Sequence, residues 1–117
     1  MTTETYTHDV WITGSDPVAH TQGTLAAGND LPARTPLGQV TASGEFVPWA
    51  PAAADGSEVA VRMTAVAVDS TGAAVKTAMI KSGTFNPELV NWPDGTTDLQ
   101  KALAFVGTPI SLQQPNG

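Results

Sequence analysis

The sequence contains no cysteine and few charged residues. The absence of cysteine from all 117 residues excludes disulfides, thiol nucleophiles and cysteine-ligated metal sites, and it fits synthesis in a reducing cytoplasm. Charged residues make up only 14% of the chain, and the formal net charge is −6. The five basic residues are scattered singly, so no basic stripe exists to neutralise phosphates, and we expect no nucleic-acid partner.

Long apolar runs are also missing. No stretch approaches the roughly 20 apolar residues that cross a bilayer, and the first residues lack the basic and apolar regions of a signal peptide. We therefore expect a soluble, non-exported protein with no membrane partner. A chain of 117 residues is long enough for one domain. Because much of its 41% apolar content is Ala and Val, we expect a thin core that depends on neighbouring chains.

The motifs of common catalytic sites are absent too. The sequence has no Gly-x-Ser-x-Gly elbow, Walker loop or Gly-x-Gly-x-x-Gly phosphate cradle. Asp69-Ser70-Thr71-Gly72 resembles an aspartic-protease loop, but its Asp lies one position too early and no second loop exists, so we predict a hairpin turn. The pairs His8/Asp9 and Asp16/His20 lack the spacing of metal ligands. We predict no enzyme, no cofactor and no metal site.

Two β-hairpins are predicted in the middle of the chain. Residues 37–49 contain two short runs of strand character around a turn at residues 42–45, and the second run delivers apolar side chains to the core: Phe46, Val47 and Trp49. Residues 59–68 form the longest strand candidate, and a change of apolar phase near Thr64 indicates a bulge, a bend or burial on both faces. Residues 74–81 return as its partner.

One helix and one closing strand are predicted near the C-terminus. Thr97-Asp98-Leu99-Gln100 matches the capping box, in which the Thr and Gln side chains satisfy free amide groups. The following apolar residues share one helical face, and Gly107 is the expected stop: Leu99, Ala102, Leu103 and Val106. We expect this face to cover the core, and residues 108–112 to form the closing strand.

Residues 81–93 join the predicted strand to the predicted helix. This stretch carries one of three Trp and one of three Phe residues in a chain with few aromatics. We expect Gly83 to permit a tight bend, Phe85 and Trp92 to fill the junction, and Pro93 to end it before the helix.

The N-terminal part, residues 1–36, is rich in Thr, Gly, Asp, Ala and Pro, and it predicts an extended or disordered arm. Four residues within it have strand character without an obvious local partner: Tyr6, Val10, Trp11 and Ile12. They either add a strand to the sheet edge of another protein or fold back on their own domain. Ser15-Asp16-Pro17 predicts a turn.

Several short groups of residues at both ends of the chain match one known family. Towards the C-terminus they are Ser82-Gly83-Thr84-Phe85, Val90-x-Trp92-Pro93 and Ala104-Phe105-x-Gly107-Thr108-x-Ile110-Ser111. In the arm they are Glu4-Thr5-Tyr6-Thr7-His8, Ser15-Asp16-Pro17 and, after one extra residue, Ala19-His20-Thr21. With these groups in this order, nearly the whole chain resembles the lambda-type bacteriophage head decoration (capsid-stabilising) proteins. Residues 50–58 and the final Gln-Gln-Pro-Asn-Gly depart from the family pattern.

The resemblance implies a mainly β fold with short helices (α+β), of the β-clip type. It implies a homotrimer that binds the major capsid protein on the outside of the expanded head at three-fold sites, after a stay in the host cytoplasm. The domains would be a flexible capsid-binding arm (residues 1–22), one globular domain (residues 23–112) and a frayed tail (residues 113–117). Carried over by position, the capsid-binding residues are Thr5, Tyr6, Thr7, His8, Ser15, Asp16, Pro17 and His20.

An alternative function is a small ligand-binding β module of a phage or cell surface. Trp49 or Trp92 would then be an exposed platform on which a carbohydrate or peptide stacks. Buried tryptophans would instead favour structural packing.

Overall fold

The computed structural model describes residues 11–114. Along this part of the chain the strands are β1 (Ala19–Leu25), β2 (Asp30–Leu31), β3 (Pro36–Gln39), β4 (Phe46–Pro48), β5 (Arg62–Thr64), β6 (Val68–Asp69), β7 (Val75–Phe85) and β8 (Ile110–Leu112). A 3-10 helix spans Pro87–Leu89, and one α-helix, α1, spans Asp98–Leu103. The described chain is mainly β with short helical pieces, which confirms the predicted fold class at that level.

Five of the strands close into a ring. Their order is β1-β4-β3-β5-β7, and β7 pairs back with β1. Two pairs, β1 with β4 and β7 with β8, are parallel, so the sheet is mixed. Strand β8 extends the sheet beyond the ring at the C-terminal end of β7, and β2 and β6 form a separate two-stranded sheet.

Strand β7 separates two apolar clusters, because successive side chains of a strand point to opposite faces. Met79 packs with Leu25, Leu37 and Phe46, which come from three other strands and fill the inside of the ring. The next residue, Ile80, belongs to the outer cluster, whose buried members also include Trp49, Ala60, Met63, Phe85, Val90, Ala104, Phe105 and Ile110. Large side chains thus occupy both clusters, whereas several valines lie on the surface: Val18, Val59, Val66 and Val106.

The first predicted hairpin is confirmed. Strands β3 and β4 pair antiparallel, with Gln39 opposite Phe46. Phe46 and Trp49 are buried, and Val47 is half-buried. The loop that follows β4 packs back on β3, because a Cβ atom at Gly38 would lie only 2.5 Å from the Cα atom of Ser57.

The second predicted hairpin is confirmed only in part. Strand β5 pairs antiparallel with β7, with Met63 opposite Ile80. The prediction of one strand over residues 59–68 is wrong, because the chain bends after Thr64 and β6 pairs with β2 in the other sheet. The buried Thr64 hydroxyl donates to the Pro32 carbonyl at 2.8 Å, so the change of apolar phase marks the point where the chain changes sheets.

The predicted helix start is confirmed. Thr97 Oγ1 accepts from the Gln100 amide at 3.1 Å, and Gln100 Oε1 accepts from the Thr97 amide at 2.9 Å. The predicted closing strand is also present, as β8.

The predicted burial of the helix is wrong. Helix α1 has no buried residue, and Leu99, Leu103 and Val106 are 68%, 60% and 68% exposed. The helix ends at Leu103, and Phe105 adopts a left-handed φ of 66°, so the chain turns and buries Ala104 and Phe105 instead. The core is therefore covered by the residues that follow the helix.

The chain before residue 36 contains regular structure. All seven residues of β1 pair with β7, and β2 pairs with β6, so both strands belong to the sheets of the domain and not to a separate arm. The boundary predicted at residue 22 falls within β1. Residues 1–10, the larger part of the predicted arm, and residues 115–117 of the predicted tail lie outside the described residues.

We expect Gly83→Ala to destabilise the fold by about 2–4 kcal/mol. Gly83 lies inside β7 with a φ of 132°, and a Cβ atom there would lie 2.6 Å from Phe85 Cζ. Gly28→Ala is the matched control, because an alanine at this φ of 94° has a strained backbone but its Cβ atom would meet no other atom within 4 Å. We expect this substitution to cost about 1–2 kcal/mol. Urea unfolding measures both, and equal costs would contradict the predicted clash.

We expect Asp55→Asn to alter the acid sensitivity of the protein. Hydrogen bonds from the Ser57 hydroxyl and amide hold the pKa of Asp55 below its ordinary value of 3.8. A depressed pKa stabilises the fold above pH 3.8, and this contribution disappears as the pH falls through the folded-state pKa. The stability difference between the two proteins should therefore shrink as the pH falls from about 5 through the folded-state pKa of Asp55. Parallel curves of unfolding free energy against pH would contradict this.

Candidate functional site

Residues 11–18 lie against the C-terminal end of β7, and we call them the docked segment. The Asn86 amide donates to the Trp11 carbonyl at 2.7 Å, and the Thr13 amide donates to the Thr84 carbonyl at 3.0 Å. Ile12 forms an antiparallel bridge with Phe85. Residues 11–13 therefore fold back on their own domain, while Tyr6 and Val10, predicted with them as strand-forming, lie outside the described residues.

An aromatic stack holds the start of the docked segment. The Trp11 ring lies 4.7 Å from the Phe85 ring, with 22° between their planes, and the Arg34 guanidinium lies 4.4 Å from the Trp11 ring centroid. The backbone of Arg34 is held in turn by Thr64 and Asn91, each at 2.8 Å. Ring stacking and cation–π contact each contribute about 0.5–1.5 kcal/mol, so the position of Trp11 is well determined.

The middle of the docked segment leaves the sheet as a loop that remains tied to β7. The Thr84 hydroxyl donates to the Asp16 carboxylate, and the Ser82 hydroxyl donates to the Pro17 carbonyl at 3.0 Å. A Cβ atom at Gly14 would lie 2.7 Å from Thr84 Cβ, so the loop approaches the strand closely.

The structure brings together some of the predicted capsid-binding residues. Ser15, Asp16 and Pro17 are consecutive exposed residues of the loop, and His20 is exposed on the adjoining strand β1. Two apolar side chains flank the loop, Ile12 at 51% and Val18 at 38% exposure. The loop thus presents polar and apolar groups side by side. The predicted residues Thr5, Tyr6, Thr7 and His8 lie outside the described residues.

The predicted junction residues occupy the region behind the docked segment. Phe85 is fully buried and contacts Trp11, and Trp92 packs against the outer cluster while its indole nitrogen donates to the Pro87 carbonyl at 3.0 Å. The Pro93 carbonyl accepts from the Thr96 amide at 3.2 Å, which forms the turn before α1.

The tryptophans named as ligand platforms are engaged with the protein itself. Trp49 is only 6% exposed, and its indole nitrogen donates to the Glu58 carbonyl at 2.8 Å. Its ring meets Trp92 edge-on at 6.0 Å. Trp92 is half-buried beside an open hollow of about 650 Å³, where the Lys101 ammonium lies 5.9 Å from the ring. Trp49 therefore serves packing rather than stacking of a ligand.

The structure also shows a surface that the sequence analysis assigned to the core. It consists of four exposed apolar residues at and around α1, and we call it the helix-side apolar face: Val59, Leu99, Leu103 and Val106. The signal for it was present in the apolar pattern of residues 99–106, but that pattern does not reveal whether its partner belongs to the same chain.

Two other kinds of site are absent from residues 11–114. None of the helices there has the length and apolar character needed to cross a membrane. Within the same residues, no three His, Asp or Glu side chains gather in a way that could hold a metal ion.

Comparison with known proteins agrees with the resemblance noted in the sequence. Residues 1–111 match the family model described as Bacteriophage lambda head decoration protein D. A head decoration protein of Enterobacteria phage P21 is 31% identical over 98 residues, which cover 84% of this chain and 81% of that protein. A provisionally named decoration protein of Escherichia phage N15 is 38% identical over 114 residues, which cover 94% of this chain and 96% of that protein.

These matches span almost the entire chain, including the docked segment and strands β1 to β8 apart from the last residue of β8. Proteins of this kind are structural components of the phage capsid, which confirms the prediction that the chain is not an enzyme. The chain belongs to the bacteriophage lambda head decoration protein D family.

Proposed function

We propose that this chain binds, as a homotrimer, to the outer surface of an expanded phage head. Its partner is the major capsid protein, its positions are the three-fold and quasi-three-fold sites, and its fold is of the β-clip type. The trimer cements neighbouring capsid subunits against the pressure of packaged DNA. The family membership supports the head as the target, and the docked segment is the observation that carries the proposed mode of binding.

The docked segment fixes the position at which residues 1–10 join the domain. Trp11 is held by Phe85 and Arg34, so the ten preceding residues start beside the exposed loop at Ser15, Asp16 and Pro17. Ten extended residues reach at most about 35 Å. This reach allows the arm to cross onto a neighbouring capsid subunit while the loop contacts the surface below it.

Three arms on one trimer raise the affinity beyond that of one arm. Ordering a peptide segment on a surface costs conformational entropy, so a single Thr-rich arm would bind weakly. Once one arm of a trimer is bound, the others bind from a high effective concentration. The contacts need no strong charges, which agrees with a chain that is only 14% charged.

Selective binding explains the stabilisation of the shell. A ligand that binds only the assembled, expanded lattice shifts the equilibrium towards that state. At a free concentration 100 times the dissociation constant, each occupied site contributes about 2.7 kcal/mol. Many such sites on one shell would hold it in the expanded state and oppose its rupture.

We expect deletion of residues 1–10 to abolish binding to expanded heads without unfolding the protein. This truncation retains Trp11 and its stack on Phe85, whereas a truncation beyond Trp11 would remove part of the packing and confuse the result. Co-sedimentation with expanded heads measures binding, and circular dichroism checks the fold. Undiminished binding of the folded truncation would rule out the arm as the main capsid contact.

We expect Trp11→Ala to weaken head binding more than Trp11→Phe. Both variants keep residues 1–10, but only the Phe variant can still stack on Phe85 and form a cation–π contact with Arg34. The Ala variant should lose about 2–3 kcal/mol of stability, since a partly buried ring is removed. The same co-sedimentation assay and urea unfolding compare the two variants. If the Ala variant bound heads as tightly as the unaltered protein, anchoring of residues 1–10 by Trp11 would be unnecessary for head binding.

A further inference from the structure

Gln113 follows directly after β8 and joins the end of β7 to the docked segment. Its amide donates to the Phe85 carbonyl at 2.8 Å, which extends the pairing of β8 with β7 by one residue. Its carbonyl accepts from Thr13 Oγ1 at 2.6 Å, and its side-chain amide lies 3.4 Å from the Thr13 carbonyl, a distance typical of a weak hydrogen bond. We call these contacts the Gln113 clasp.

The two segments that the clasp joins approach β7 from different edges. The Thr84 carbonyl accepts from the Thr13 amide at 3.0 Å, and the next carbonyl, that of Phe85, accepts from Gln113. Because successive carbonyls of a paired strand point towards opposite neighbours, the docked segment holds one edge and Gln113 holds the other. The bond from the Thr13 hydroxyl to the Gln113 carbonyl therefore reaches across the end of β7.

The docked segment passes close over β7 beside the clasp. A Cβ atom at Gly14 would lie 2.7 Å from Thr84 Cβ, and the Thr84 hydroxyl donates to the Asp16 carboxylate. The clasp thus lies before the exposed loop, whereas the hydrogen bonds from Thr84 and Ser82 hold the loop farther along. The loop is therefore held from both of its ends.

Hydrogen bonds, and not apolar burial, hold Gln113 in this place. Its side chain is exposed, and its partner Thr13 lies 100 positions away in the sequence. Gln113 also lies beyond residue 111, where the match to the family model ends, so the match assigns it no role. The contacts are therefore a feature of this chain that the family membership does not account for.

We propose that Gln113 is a positioning residue for the docked segment. By holding Thr13 against the end of β7, it fixes the place where the exposed loop leaves the sheet. It also adds a second anchor beside Trp11 for the position at which residues 1–10 join the domain. The clasp itself does not depend on the proposed function, whereas its effect on head binding rests on that function.

Deletion of residues 113–117 tests the clasp by native-state hydrogen exchange. We expect the Thr13 amide to exchange about tenfold faster, because the two shorter hydrogen bonds of Gln113 are removed. Deletion of residues 115–117 is the matched control, since it keeps Gln113, and it should leave this rate unchanged. The Val61 amide, which donates to the Leu37 carbonyl at 2.9 Å in the ring, should exchange equally slowly in both truncations.

Two outcomes of this experiment would overturn the proposal. One is an equal Thr13 exchange rate in the two truncations. The other is an equal acceleration at Thr13 and Val61, because Gln113 would then support the stability of the whole domain and not the position of the docked segment.

Substitution of Thr13 tests the clasp with the tail left in place. Thr13→Val removes the hydroxyl that donates to Gln113 but keeps a branched side chain, whereas Thr13→Ser keeps the hydroxyl. The reporter is the Asn86 amide, which donates to the Trp11 carbonyl at 2.7 Å. We expect it to exchange about threefold faster in the Val variant and at the original rate in the Ser variant. Equal rates in the two variants would contradict the proposal.

Co-sedimentation with expanded heads separates the clasp from the proposed function. We expect the protein without residues 113–117 to bind heads about three- to tenfold more weakly than the protein without residues 115–117, because its loop and arm are less well positioned. If Thr13 exchanges faster but both truncations bind heads equally, the clasp is confirmed and the loop is excluded as a capsid contact.

Discussion

Strand β7 holds the described structure together through its two edges and its two faces. Its first edge pairs with β1 and then with residues 11–13, and its other partners are β5 and β8. Its faces supply Met79 to the inner cluster and Ile80 to the outer one. Closure of the ring, separation of the clusters and placement of the docked segment are therefore consequences of a single strand.

Different elements form the two exposed surfaces. The docked segment lies on the C-terminal end of β7, where Asp16 is tied to Thr84. The helix-side apolar face is built from α1 and the loop before β5, behind which Trp49 and Phe105 are buried. Each surface is thus placed by its own set of elements and not by the other surface.

The sequence predicted those features whose causes are local. The capping box at Thr97 needs only a partner three residues away, and the first hairpin needs only a turn between two apolar runs. Strand β1 was missed because its Thr, Gln and Gly residues show little apolar alternation, and backbone pairing with β7 holds it. The exposure of Leu99 could not be read from the sequence, because an apolar helix face looks the same whether its partner is in the same chain or another. Family resemblance supplied the rest of the candidate site, including Asp16.

The way in which residues 11–13 join the domain determines how the protein carries tension. Any pull transmitted along residues 1–10 arrives first at residues 11–13, where the backbone hydrogen bonds of Trp11 and Thr13 act together with the ring contact between Trp11 and Phe85. From there the load passes into β7 and so into the strands on both sides of it, without first stretching the loop at residues 14–18. The attachment thus spreads a force on the N-terminal residues over the strands of the ring.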